Sequence, residues 1–349
     1  MPDPHAKPAT STMTDTPAKP DNPAWKITSI KEIGLAGDHY SVARVPGSSQ
    51  LFVGGHVGKI HFVDLAAEKP TPVPWDAHVS FISGLVVTAK FLVSAGSDHQ
   101  MIWWNRESRE RVRVAPHAKW VRHLSLSPDG QTLASVCDDM ICRLWDVESG
   151  KLIRELAGHA LRTPYDLVSK LYASAFSRDG QWLATVDQAG HALVWEVATG
   201  QKLADVHAPH FYTHDTNGHT YGGIRTVDFS LDGQSIAVGG NLAGDTSTIT
   251  GSKSLIQFFE WKTGKQTADC QAGGDFFYER LKYHHEAKWL LGAGGAGNGP
   301  KLVLVDLANQ SLLAEVKLPS PVFDIALTEN SETCFTVGRG KICQWSITR

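Results

Sequence analysis

The sequence predicts an all-β fold made of a repeated unit of four short antiparallel strands. The clearest copy occupies residues 117–158, where polar turns separate the apolar segments VRHLSLS, QTLASV, ICRLWDV and KLIREL. Its first turn contains Pro128-Asp129-Gly130, residue types that favour chain reversal. A bulky residue followed by a polar one recurs at intervals of roughly 40 to 64 residues, at Val63-Asp64, Trp104-Asn105, Trp145-Asp146, Trp195-Glu196, Phe259-Glu260, Val305-Asp306 and Trp345-Ser346. No segment has a sustained helical period.

The repeat length, with pairs such as Trp145-Asp146 and Gly158-His159, resembles the WD40-repeat family. The resemblance covers roughly Trp25 to the C-terminus in seven units and implies a seven-bladed β-propeller. In that family the first strand of the chain completes the last blade. The segment WKITSIKEI, from Trp25 to Ile33, has no unit of its own, and the last unit, 321–348, has three strands. We therefore expect this segment to join the last blade, which closes the ring and removes free sheet edges.

The other units follow the same strand order and differ in their loops. The first unit, about 34–78, contains LFVGG and KIHFVDL, and the second, which ends at His117, contains FLVSAG and MIWWN. The fourth has an insertion at 160–170, and the fifth has a long polar loop at 241–254 before LIQFFEW. The sixth, with FFYERLKYHHEAKWLLGAGG and KLVLVDL, is the most divergent. The turns SPDG, SRDG and SLDG, which begin at 127, 177 and 230, are predicted between the first and second strands.

Composition and charge limit the classes of function that this chain can have. The formal net charge of -3 gives no basic footprint for nucleic acid or an anionic membrane, and no apolar run approaches the roughly 20 residues of a membrane helix. Residues 1–22 are rich in proline and threonine and lack the apolar core of a secretory signal. We predict a disordered tail at 1–22, one propeller domain at 23–349 and a cytoplasmic location, with the five cysteines reduced.

Two units carry a histidine, a serine, an aspartate and a tryptophan at closely matching offsets: His78, Ser94, Asp98 and Trp104, then His117, Ser135, Asp139 and Trp145. A hydrolase triad would need one copy, an exposed nucleophile and an oxyanion hole. Repetition in register instead resembles the family's structural tetrad, a buried hydrogen-bond chain. The fourth unit has Ala189 where the aspartate is expected, and the seventh has Arg339.

Two other motifs are weighed as ligand sites. The segment from His207 to His219 has clustered metal-binding side chains, His207, His210, His214, Asp215 and His219, but its spacing matches no known zinc pattern. A metal- or ligand-binding, possibly hydrolytic, propeller that uses this loop is the alternative function. The GAGGAG run at 292–297 lacks the helix that a dinucleotide site requires. We predict no cofactor.

The resemblance implies that a partner docks on the top face, around the central channel. The residues beside the first apolar position of each innermost strand would face it, and we predict as partner-binding Tyr40, Phe81, Trp120, Arg122, Lys170, Tyr172, Arg225, Phe277, Glu279 and Phe323. Aromatic residues and arginine carry much of the energy of protein interfaces. We predict a non-enzymatic scaffold for a protein or peptide partner of acidic character, without nucleic acid or membrane, as a monomeric ring within a larger complex.

Overall fold

Antiparallel β-strands form nearly all the regular structure of the computed structural model, which describes residues 24–214, 220–242, 253–271, 276–295 and 299–349. The predicted tail at 1–22 lies outside these residues. The all-β propeller architecture expected from the repeats is confirmed. Within the described part of the chain, one short 3-10 helix, Pro209–Phe211, interrupts the strands, and no helix reaches the length and hydropathy needed to cross a bilayer.

In chain order the strands are β1 Lys26–Arg44, β2 Gln50–Gly55, β3 Lys59–Asp64, β4 Val73–Asp76, β5 Ile82–Val87, β6 Phe91–Gly96, β7 Gln100–Asn105, β8 Arg111–Pro116, β9 Val121–Leu126, β10 Thr132–Cys137, β11 Ile141–Asp146, β12 Leu152–Ala157, β13 Leu171–Phe176, β14 Trp182–Asp187, β15 His191–Glu196, β16 Lys202–His207, β17 Tyr212–His214, β18 Thr220–Phe229, β19 Ser235–Asn241, β20 Ser254–Glu260, β21 Lys265–Cys270, β22 Tyr278–Tyr283, β23 Trp289–Gly294, β24 Lys301–Asp306, β25 Ser311–Lys317, β26 Val322–Leu327 and β27 Thr333–Thr348.

These strands form six hydrogen-bonded sheets, whereas the sequence predicted seven blades. Five sheets each take consecutive strands: β5–β8, β9–β12, β13–β16, β17–β21 and β22–β25. The sixth has six strands in the order β26-β27-β1-β2-β3-β4. The first and last units share one sheet because β1 pairs with β27 through its first part and with β2 through its second part.

Strand β1 changes partner along its length. Its first part pairs with β27, from Lys26 opposite Thr348 to Gly34 opposite Lys341. Its second part pairs with β2, from His39 opposite Gly55 onward. Gly37 lies between the two parts with a φ of 98°, a conformation that residues with a Cβ rarely adopt.

Neighbouring sheets pack face to face through apolar side chains and are linked at their innermost strands. The Ser41 hydroxyl donates to the Ile82 carbonyl (3.1 Å), and the Leu281 N–H donates to the Thr226 hydroxyl (2.9 Å). Within the six-stranded sheet, the Asp324 carboxylate of β26 accepts the Val42 N–H of β1 at 2.8 Å. These bonds fix the inner strands relative to one another, because each satisfies a backbone group that the sheets leave unpaired.

The three related turns lie between first and second strands, as the sequence predicts. In the first, the Ser127 hydroxyl donates to Asp129 Oδ1 (2.5 Å), which also accepts the Gln131 N–H (3.0 Å). The same contacts recur in the turns that begin at Ser177 and Ser230. Each turn ends in a glycine with positive φ, which explains its Asp-Gly sequence.

Candidate functional site

The innermost strands β1, β5, β9, β13, β18, β22 and β26 each carry a β-bulge at the same place. In each, the register against the next strand skips one residue. A bulge leaves one residue outside the ladder and re-aims its side chain. The skipped residues are Tyr40, Ser83, Arg122, Tyr172, Arg225, Glu279 and Phe323, and all of them line one cavity of about 260 Å³.

Four aromatic rings form a continuous row along the wall of this top-face cavity. The ring centroid of Tyr40 lies 5.1 Å from that of Phe323 and 5.7 Å from that of Phe81, and Phe81 lies 6.1 Å from Trp120. The Trp120 indole N–H donates to the Ser83 hydroxyl at 2.9 Å, which fixes its ring. The row offers a rigid apolar wall that can bury a side chain of a partner.

Arg122 lies across the Trp120 ring but is not a free cation. Its Cζ is 3.6 Å from the ring centroid, and its Nε and Nη2 each donate to the Asp138 carboxylate at 2.7 Å. Arg122 was expected to offer its charge to an acidic partner, and its pairing with Asp138 was not predicted. Because Asp138 lies in the turn after β10, only the folded turn reveals the pair.

Arg225 is placed differently. Its Cζ lies 4.2 Å from the ring centroid of Tyr172, and its Nε is buried without a hydrogen-bond partner. Burial alone would lower the pKa of Arg225, but Tyr172 and Glu279 raise it above its ordinary value. The guanidinium therefore stays charged at the cavity wall with capacity to donate.

The predicted top-face residues line this cavity, apart from Lys170 and Phe277. Lys170 is half-buried before β13, and its carbonyl accepts the Gln188 N–H at 2.9 Å. Phe277 is buried just before β22. Arg280 also lines the cavity and was not predicted; its Nε donates to Asp324 at 2.6 Å. Its position in the sequence, directly after the predicted Glu279, is the signal that could have identified it.

The first predicted tetrad forms a continuous hydrogen-bond chain in the β5–β8 sheet. The Trp104 indole donates to the Ser94 hydroxyl at 2.8 Å, Ser94 Oγ lies 2.7 Å from His78 Nε2, and His78 Nδ1 lies 2.9 Å from both oxygens of Asp98. Burial alone would raise the pKa of Asp98, but bonds from His78 and the Val79 N–H hold it below its ordinary value. The Ser94 side chain is fully buried, so solvent does not reach the hydroxyl.

In the β9–β12 sheet the predicted link from Asp139 to His117 is absent. Ser135 Oγ lies 3.0 Å from His117 Nε2 and accepts the Trp145 indole N–H at 2.9 Å. His117 Nδ1 instead lies 3.3 Å from the Ala115 carbonyl, and Asp139 pairs with Arg143 at 2.8 Å. A guanidinium attracts the carboxylate more strongly than a neutral imidazole does. Burial, with Arg143 nearby, lowers the pKa of His117 to about 4.

A family model described as the anaphase-promoting complex subunit 4 WD40 domain matches residues 89–172, which contain the whole of the second chain and all of the first except His78. Over these residues the chain is similar to WD40 domains. Its relatives include the U3 small nucleolar RNA-associated protein 21 homolog of Schizosaccharomyces pombe, 27% identical over 45% of this chain and 17% of that protein. Pre-mRNA-processing factor 19 of Oryza sativa is 24% identical over 61% of this chain and 36% of the relative. The target of rapamycin complex subunit wat1 of S. pombe is 32% identical over 30% of this chain and 32% of that protein. The matches therefore span well under half the length of each of these relatives.

The fourth unit contains a hydrogen-bond chain that was not predicted from the sequence. His159 Nε2 lies 2.8 Å from the Thr185 hydroxyl, which also accepts the Trp195 indole N–H at 2.8 Å. His159 Nδ1 lies 2.7 Å from Asp187 Oδ2. The acidic position expected at Ala189 is thus supplied two residues earlier. The signal was available, because residues i and i+2 of a strand face the same way.

The described histidines of the segment from His207 to His219 have separate contacts. The His207 ring stacks on His191 with centroids 4.6 Å apart, and His210 Nδ1 lies 3.4 Å from the Gln257 amide nitrogen. The His214 side chain and all of His219 lie outside the described residues. The described contacts therefore give the metal-binding alternative no further support.

Among the described residues, potential metal ligands converge instead at His284, His285 and Glu286. The Glu286 N–H donates to His284 Nδ1 at 2.9 Å, which occupies the lone pair of that nitrogen and leaves the proton on Nε2. His284 also packs edge-on against Trp289 at 4.5 Å. Burial, then His285, lowers the pKa of His284 to about 4. His284 is therefore held as a packed turn residue and is a poor ligand.

Proposed function

We propose that this chain is a WD40-repeat protein that serves as a non-enzymatic scaffold and docks a protein or peptide partner in the top-face cavity. The observation that carries the proposal is the repeated bulge, which turns seven side chains from seven inner strands into one cavity. The name of the wat1 relative as a complex subunit adds support from the family.

The cavity favours a partner segment with an apolar side chain next to an acidic one. The aromatic row provides the apolar wall, and Arg225 is the guanidinium with an unused donor. Arg122 contributes as a stacked surface, because Asp138 neutralises its charge. A carboxylate is the group whose geometry and charge fit such a donor.

The same proposal includes the organisation of the ring. We infer that the six-stranded sheet acts as two blades, so that residues 23–349 form a single seven-bladed domain closed by the first part of β1. The change of partner at Gly37 and the seven bulged inner strands support this count. We further propose a monomeric ring that works in the cytoplasm within a larger complex and binds neither nucleic acid nor membrane, in line with the net charge of -3.

Affinity capture from native extract tests the docking site. The bait variants are Arg225→Gln, the double variant Trp120→Ala/Arg122→Ala, and the matched control Lys90→Ala, which removes a surface ion pair with Glu148. We expect wild type and control to retain one common partner, and both cavity variants to lose it at least tenfold. The melting temperature of each variant separates loss of binding from loss of fold. Retention of the partner by both folded cavity variants would exclude this face.

A further inference from the structure

Outside the top face, an arginine closes the groove between neighbouring sheets at two junctions. Arg113 on β8 extends over Trp103 and donates from Nη1 to the Glu148 carbonyl of the next sheet at 2.6 Å. Arg154 on β12 donates in the same way to the Ala198 carbonyl at 2.6 Å and to the Thr199 carbonyl. Both arginines occupy one register position, opposite Trp103 and Leu144 of the adjoining strand. They cover the apolar edge where the two sheets meet.

Each of these arginines requires a glycine in the facing turn. A Cβ added to Gly150 would lie 2.4 Å from Arg113 Cδ, and one added to Gly200 would lie 2.9 Å from Arg154 Cδ. The junction between β13–β16 and β17–β21 is covered differently. There Trp182 packs on Trp261 at 5.3 Å, and the Lys262 ammonium lies over both rings.

The junction between β17–β21 and β22–β25 lacks all of these covers. The register position of the arginines is taken by Ala268, opposite Phe258, and the position of the turn glycine is taken by Gln310. A cleft of about 420 Å³ opens there, lined by Phe258, Leu307, Ala287 and the partly exposed Leu231. Because the arginine of one sheet and the glycine of the other are both replaced here, the open cleft follows from the sequences on both sides of the junction.

One carboxylate sets the charge of this inter-sheet cleft. Of the described residues that line it, Asp232 alone is charged. Its Oδ1 accepts the Ser230 hydroxyl and the Gln234 N–H, bonds that lower the pKa of Asp232 and keep it ionised. Oδ2 takes no part in these two bonds. An apolar cleft with a single anion at its edge complements an apolar group followed by a cation.

We propose that the inter-sheet cleft is a second docking site, which takes a leucine or phenylalanine side chain of a partner segment that carries a lysine or arginine nearby. This inference does not depend on the top-face cavity. The apolar side chain enters between Phe258 and Leu307, and the cation pairs with Asp232. The arginine and glycine that close the groove at the two junctions described above define the variant that blocks the site.

Methyl NMR of the full chain with synthetic peptides tests the proposal. The probes are short Gly/Ser peptides with one leucine or phenylalanine and one lysine placed close after it, and the matched sets replace lysine by glutamate or the apolar residue by alanine. We expect the lysine peptides to bind weakly, with Kd of roughly 0.1 to 1 mM. They should shift the methyl resonances of Leu231 and Leu307, and both matched sets should bind at least about threefold more weakly.

Four variants decide the outcome. Ala268→Arg/Gln310→Gly recreates the covered junction and should abolish the methyl shifts, whereas Gln310→Gly alone should keep them. Asp232→Asn should weaken the binding of the lysine peptides alone, by about threefold. This variant tests the proposal if the double variant does not fold. Arg225→Gln should bind as wild type, so failure here is separate from failure of the top-face proposal.

Several results would overturn the inference. One is equal binding of glutamate and lysine peptides, and another is the absence of shifts up to about 2 mM peptide. Binding that appears only after removal of residues 1–22 would assign the cleft to the chain's own N-terminal segment. Concentration-dependent self-association that the double variant abolishes would assign it to a second copy. Both results would exclude the partner segment proposed here.

Discussion

Asp187 Oδ2 lies 2.7 Å from Nδ1 of His159, in a repeat whose expected acidic position holds Ala189. Asp187 ends β14 on the same face as Thr185, so the two side chains engage the two nitrogens of one imidazole. In the β5–β8 sheet the aspartate approaches from the turn after the strand, at Asp98. The hydrogen-bond chain thus tolerates two routes for its acid, provided that both ring nitrogens are satisfied.

The first prediction concerns Asp187→Asn, which removes the charge while keeping the shape. We expect the free energy of unfolding to fall by about 2 to 4 kcal/mol, because a buried imidazole loses its charged acceptor. Urea denaturation measures it. Asp139→Asn is the control and should cost less, since Asp139 pairs with Arg143, which also contacts Glu155. Equal losses in the two variants would contradict the assignment.

The second prediction is that Ala189→Asp, which restores the expected repeat pattern, destabilises the protein. Ala189 is 5% exposed, and His159 already has its acceptor in Asp187. A second buried carboxylate there would lack a partner and repel the first, at a cost of about 2 kcal/mol or more. A rise in melting temperature would show instead that Asp187 is a weak substitute.

The third prediction concerns Ser94→Ala in the β5–β8 sheet. Because the hydroxyl links Trp104 to His78, its removal leaves a buried indole N–H and a ring nitrogen unsatisfied. We expect a loss of about 1 to 3 kcal/mol in urea denaturation. Ser108→Ala, on an exposed turn, should change stability by less than about 0.5 kcal/mol. Unchanged stability of Ser94→Ala would mean that the chain is not a stabilising element.

The repeat pattern predicted the architecture because the residues that form the strands and turns of each unit are close together in the sequence. The Trp-Asp pairs and the Asp-Gly turns mark strand ends, and those ends are where the sequence was most informative. The merging of the first and last units was not predictable, since it depends on where β1 changes partner from β27 to β2, between Gly34 and His39.

The candidate site was predictable in position but not in geometry or charge. Residues beside the first apolar position of each inner strand were chosen from sequence, and most of them line the top-face cavity. A bulge uses the same residue types as a regular strand, so the seven register breaks appear only in the folded sheet. The pairing of Arg122 with Asp138 is a contact between a strand and a turn and has no local sequence signal.

The fourth prediction is a loss of stability on acidification that originates in buried histidines. The pKa of His117 in the folded chain is about 4, below the 6.5 of an ordinary histidine, because of burial and Arg143. Between these values the unfolded chain binds more protons, so stability falls as pH falls from 6.5 towards 4. At pH of about 5 the group costs about 2 kcal/mol relative to neutral pH. His39, whose pKa burial and His61 lower to about 4, adds to the same window.

Urea denaturation at about pH 7 and about pH 5 measures this effect. His117→Gln should reduce the difference in unfolding free energy between the two pH values. Ser108→Ala, which removes a hydroxyl on an exposed turn, should keep the wild-type difference. An unchanged difference in His117→Gln would show that His117 titrates normally in the folded chain.

The last prediction tests whether the first part of β1 holds the ring together. This part pairs with β27 from Lys26 to Gly34, and the Trp25 ring packs edge-on against Trp289 with centroids 6.2 Å apart. Removal of residues 1–33 should therefore expose an edge of β27, lower the melting temperature by about 10 °C or more and promote aggregation. Removal of residues 1–22 is the matched control and should leave stability unchanged. A synthetic peptide of residues 24–37 should restore the melting temperature of the longer deletion, because it replaces the missing strand. If the two deletion variants have the same melting temperature, the first strand contributes little to stability and the proposed closure is wrong.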